Sequence, residues 1–142
     1  MFSDSHIPRE TIQAYLETHY HVHGATPATL KIGEFNAALA AIHEAKRVNS
    51  SAFVTAFNPF SQALDDAANA NRQDALAREL EQRGLTYIDG IGLHPSNAWP
   101  GEASFLVLDI SLEDAKALGV QQGQNAIIWC DSDAVPRLIL LR

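Results

Sequence analysis

Ser51-Ala52-Phe53-Val54-Thr55-Ala56-Phe57-Asn58-Pro59-Phe60-Ser61 is the stretch from which the fold is read. Phe53, Val54 and Phe57 form a short apolar, β-branched run bounded by turn formers, the pattern of an inner strand covered on both faces. It predicts a strand over residues 52 to 57. Pro59 cannot continue a hydrogen-bonded ladder and biases Asn58 away from helical backbone, so the strand ends there. Ser61 is then a natural N-cap for a helix over residues 62 to 83, with Asp65 and Asp66 in or beside its first turn. A strand end next to a helix start gathers backbone donors and polar side chains, so this corner is also the place to expect a ligand. The structural alternative is that Asn58 and Ser61 only shape a turn and cap a helix.

Upstream of this stretch, residues 8 to 18 read as a helix with Pro8 in its first turn and Ile12, Tyr15 and Leu16 on one face. His19-Tyr20-His21-Val22-His23 alternates, which in a strand sets His19, His21 and His23 on one face and Tyr20 and Val22 on the other. Three imidazoles in a row have the chemistry to bind zinc or nickel, but no His, Cys or Glu cluster elsewhere is an evident partner. The expectation is a solvated face with weak adventitious metal binding, and no native metal or cofactor. Thr29 to Ile32 can return as a hairpin partner. Phe35, Ala38, Leu39, Ile42 and Ala45 recur at helical spacing and predict a helix over residues 34 to 46, with His43 on its solvent flank.

Downstream, the helix over 62 to 83 carries Leu64, Ala68, Leu76 and Leu80 as its apolar stripe and is closed by Gly84. Thr86-Tyr87-Ile88 is a short strand. Gly90, Gly92, Pro95, Pro100 and Gly101 mark residues 89 to 103 as an irregular loop anchored by Trp99. Gly90-Ile91-Gly92 lacks the third glycine and the helix of a dinucleotide-binding turn. Residues 104 to 109 and 125 to 130 are strongly apolar strands. Between them Ser111 caps a helix that Gly119 is expected to close, and Val135 to Leu141 pairs as a final hairpin.

The 142 residues, 46% hydrophobic and 19% charged, describe one globular domain over residues 1–142 with a core of its own. The predicted fold is α+β: a mixed or mostly antiparallel sheet whose inner strands include 52 to 57, 104 to 109 and 125 to 130, with helices packed on it. The runner-up is a three-layer α/β fold. No apolar run reaches membrane-spanning length and the first residues do not read as a signal peptide, so a cytoplasmic protein is expected. A net charge of −7 without a basic stripe disfavours nucleic acid as a partner. Cys130 sits in an apolar strand, as a small core residue would. Oligomeric state is not legible.

Thr55-Ala56-Phe57-Asn58-Pro59-Phe60-Ser61, Trp99 with Glu102, Ser104-Phe105-Leu106-Val107 and Gly123-Gln124-Asn125-Ala126 together resemble the small, uncharacterised bacterial proteins of domain-of-unknown-function family number 3293. The resemblance implies a single domain and supplies no activity and no catalytic residues.

Three functions are therefore carried forward. The first is a binding or regulatory domain for a small polar or anionic ligand, lined by Asn58, Ser61, Arg72 and Gln124. On that reading Arg72→Lys weakens an anionic ligand and leaves the melting temperature nearly unchanged. The second is a hydrolase or transferase on a nucleotide-like substrate, with His94 or Glu102 as acid or base. The third is an interaction module built around Trp99.

Overall fold

The computed structural model describes residues 5–96 and 100–142, apart from the side chain of Ser61. Trp99 lies outside the described residues. In chain order the elements are α1 (Arg9–Glu17), β1 (His19–Val22), β2 (Ala28–Leu30), α2 (Ala37–Lys46), β3 (Ser51–Val54), a 3-10 turn (Pro59–Ser61), α3 (Asp66–Gln82), β4 (Tyr87–Leu93), β5 (Glu102–Leu108), α4 (Leu112–Gln121), β6 (Ala126–Cys130) and β7 (Pro136–Leu140).

The strands form one sheet in the order β2-β1-β4-β5-β3-β6-β7, and every pairing is antiparallel. This is the α+β architecture read from the sequence. β3 lies between β5 and β6, with Phe53 opposite both Leu106 and Ile128. Its side chains divide by the two-residue period of a strand. Phe53 joins the core beneath α1 and α2 with Tyr20, Val22, Leu30, Ile42, Leu106 and Leu138. Ala52 and Val54 join the opposite core, with Leu76 and Leu80 of α3, Leu118 of α4, and Val107. The sheet therefore carries helices on both faces, as a three-layer fold would, but by antiparallel connections.

Several boundaries differ from those expected. β3 stops at Val54 instead of residue 57, because Thr55 Oγ1 accepts from Phe57 N–H at 3.0 Å and turns the chain. The long helix starts at Asp66, not at residue 62. Its N-cap is Asp65, whose carboxylate accepts from Ala68 N–H at 2.7 Å, while Ser61 ends the 3-10 turn. Leu64 precedes the helix and stays partly exposed.

The expected loop over 89 to 103 is sheet at both of its ends, since β4 runs to Leu93 and β5 begins at Glu102. Gly90 and Gly92 are strand residues here. A Cβ on Gly90 would lie 2.4 Å from His21 O and 2.9 Å from the Phe53 ring, so glycine is what lets β4 pass beneath Phe53. Gly119 lies inside α4, where a Cβ would crowd Leu141 and Ile127, and the helix is closed by Gly123 at φ +69°.

α2 begins at Ala37 with Asn36 as its cap, which leaves Phe35 outside the helix and 65% exposed. Its His43, expected in solvent, is 5% exposed. The Nε2 of His43 pairs with Ser51 Oγ at 2.8 Å, because the end of α2 lies over the start of β3.

Candidate functional site

The corner after β3 is held by an amide network. Asn58 has left-handed backbone (φ 46°, ψ 63°), and Phe60 two residues on is also left-handed (φ 58°). Such conformations cost free energy in residues other than glycine and persist where the surroundings enforce them. Asn69 of α3 enforces this one: its Oδ1 accepts from Asn58 N–H at 2.9 Å and its Nδ2 donates to Asn58 Oδ1 at 2.8 Å. Asn58 Oδ1 also accepts from Leu64 N–H at 3.0 Å. With the oxygen doubly occupied the amide has a single orientation, and its Nδ2 donates to Glu102 Oε2 at 2.7 Å.

Glu102 opens β5 and lines a cavity of about 390 Å³ between α1 and the sheet. Burial pushes its carboxyl above the ordinary carboxylate range, and the Asn58 hydrogen bond pulls it part of the way back. The apolar wall includes Tyr20 and Phe53, whose rings meet edge to face at 5.3 Å. Thr11 and Tyr15 of α1, with Thr18 just after it, close the opposite side.

The four residues picked from the sequence are not all at this cavity. Asn58 and Gln124 line it. They converge because β3 and β6 are neighbours, which lets Gln124 Nε2 donate to Phe57 O at 3.0 Å. Arg72 does not line it. Its Nε donates to Ala56 O at 2.7 Å and its NH2 group to Gln122 O at 2.6 Å, tying the end of β3 to the segment after α4. The guanidinium expected to meet an anion is spent on main-chain carbonyls. The side chain of Ser61 lies outside the described residues.

Tyr15, Tyr20, Thr55 and Ser104 were not singled out as ligand contacts. Thr55 and Ser104 stand in the quoted motifs, and Thr11, Tyr15 and Thr18 recur at helical spacing on α1, which is the signal that was there to use.

His94 also lines the cavity, with its imidazole engaged at the rim. Its Nδ1 accepts from Ser96 N–H at 3.2 Å, so Nε2 faces Glu17 Oε1 at 3.0 Å as a donor. The histidines of β1 sit on the sheet face opposite the cavity. His21 Nδ1 pairs with Thr29 Oγ1 at 3.1 Å, and among the described residues no group of three or more His, Cys, Asp or Glu is placed to hold a metal ion.

No helix among the described residues is long and apolar enough to cross a membrane. No curated protein sequence and no solved structure matches the chain. One family model does, over residues 54–127, a span that includes Asn58, Asn69, Arg72, Glu102 and Gln124. That span is just over half of the 142 residues, and the chain belongs to the family described as protein of unknown function (DUF3293).

Proposed function

We propose that this protein binds a small polar molecule in the cavity between α1 and the sheet. The observation that carries this reading is the Asn69-Asn58-Glu102 chain: a strained turn and two asparagine amides hold one carboxyl group at a cavity wall. Fixed polar groups on an otherwise apolar concave surface are the usual construction of a ligand site. A polar, non-anionic ligand is favoured over an anionic one, since Arg72 is engaged with carbonyls and among the described residues neither lysine nor arginine lines the cavity.

A thermal-shift screen followed by protein NMR tests it. Nucleotides and sugar phosphates should leave the melting temperature unchanged, whereas a polar, non-anionic binder at about one hundred times its Kd should add roughly 2.7 kcal/mol of stability. Its resonance shifts should centre on Asn58, Glu102 and Gln124. A panel that shifts only residues away from the cavity, or none, removes this reading.

The raised carboxyl of Glu102 favours a second reading, an enzyme using Glu102 as acid or base. Turnover abolished by Glu102→Gln with binding retained would separate it from a binding role.

A further inference from the structure

The hydrogen bonds around the cavity engage many of its donors with main-chain carbonyls. The hydroxyls of Thr18, Tyr20, Thr55 and Ser104 donate to the carbonyls of Ala14, Tyr15, Ala103 and Glu102, at 2.7, 2.7, 2.7 and 3.0 Å. The Gln124 amide donates to Phe57 O and Gln122 O. Glu102 keeps acceptor capacity. Glu102 Oε2 takes the Asn58 amide, and among the described residues no donor reaches Oε1. A part-buried carboxylate with one oxygen paired is stabilised further by either a proton or a cation. A second carboxylate, Glu10, lines the same cavity, and among the described residues no lysine or arginine lines it. The remaining wall is aromatic and aliphatic, with Phe53, Tyr20, Ile128 and Leu138.

Resting on the pocket reading above, we infer that the ligand is a small organic cation, its amidinium or ammonium head donating to Glu102 Oε1 while its apolar body lies against Tyr20 and Phe53. The head supplies the donor that Glu102 Oε1 does not have among the described residues, and charge-assisted hydrogen bonds to carboxylate are about twice as strong as neutral ones. Aromatic faces add attraction for the same charge.

Benzamidine, benzamide and benzoate share one shape and differ in charge, so their binding to the intact protein by titration calorimetry and NMR isolates the head group. Benzamidine should bind at least about tenfold more tightly than benzamide, and benzoate most weakly. Glu102→Gln, which can still accept from Asn58, should erase the difference between benzamidine and benzamide.

A pH series on the unmodified protein gives a readout that does not depend on the variant folding. Glu10 and Tyr15 of α1, Tyr20 of β1 and His94 after β4 are the other titratable groups at the cavity. Benzamidine stays cationic while Glu102 takes up a proton, and burial brings that uptake on at a higher pH than for a free carboxylate, so its affinity should fall as pH is lowered, and more steeply than in Glu102→Gln. Equal or tighter binding of benzamide or benzoate, or no benzamidine binding at millimolar concentration, overturns the inference. The pocket reading survives that result if other polar fragments shift the cavity resonances, and falls only if none does.

Discussion

Arg72→Lys separates two accounts of the corner after β3. If Arg72 were an anion-binding residue, the change would cost ligand affinity and little stability. The structure instead has Nε and the NH2 group donating at 2.7 and 2.6 Å to Ala56 O and Gln122 O, two acceptors far apart in sequence, one just after β3 and one at the C-terminal end of α4. Lysine carries the same charge on one compact nitrogen and lacks the planar fork that reaches both. At least one carbonyl then loses its partner. A hydrogen bond from a charged group contributes about 1.5–3 kcal/mol, and Arg72 is only partly buried, so water recovers some of it and the lower half of that range is expected. For a chain of this size that corresponds to a fall in Tm of roughly 4–8 °C. Urea melts read by circular dichroism measure it, with Arg83→Lys as the control. Arg83 pairs with Glu79 at the surface, and its replacement should cost about 0.5 kcal/mol or less. An Arg72→Lys loss no larger than the Arg83→Lys loss would refute the argument that Arg72 is a structural tie.

Phe53→Ala should cost about 3–5 kcal/mol in the same melts, since the ring is 4% exposed and packs on Tyr20; a loss below about 1 kcal/mol would mean that the cavity wall rearranges around it. Burial holds the His43 imidazole below its ordinary pKa, and its Nδ1 has no partner among the described residues. The unfolded chain therefore binds a proton that the folded one resists: stability is complete above about pH 6.5 and falls as pH drops below it. His21 titrates in the same direction, so the measurement is the difference in urea midpoint between about pH 7.5 and about pH 5.5, which His43→Gln should shrink and His21→Gln should shrink less. On the β1 histidine face, nickel or zinc should bind weakly, and elemental analysis should find no stoichiometric metal; one tightly held ion per chain would contradict this.

Local pattern determined most of the elements. The alternation of His19, Tyr20, His21 and Val22 identified β1 and its two faces, because a strand's side chains have no choice but to alternate. The apolar runs around Phe53, Leu106 and Ile128 identified the inner strands, whereas the sequence left a mixed sheet open and only the strand pairings made it antiparallel throughout. The sequence also placed the turn at Asn58-Pro59, since proline cannot continue a ladder. What it could not determine was which donors face solvent, a cavity or the main chain. Arg72 looked available because a guanidinium on a helix usually is, and only the approach of Gln122 from the far side of α4 occupies it. Gly90 looked like a loop because glycine weakens strands, until Phe53 and His21 O crowd the space where a Cβ would stand. His43 looked solvated because helical period gives a face but not what lies over it, and β3 lies over it. Glu102 was visible as a carboxylate ahead of an apolar strand, but its meaning depends on Asn58, forty-four residues away, and on the cavity that α1 closes above both. Hydrogen-bond satisfaction is settled between segments distant in sequence, so the tertiary structure alone decided which polar groups are left over for a ligand.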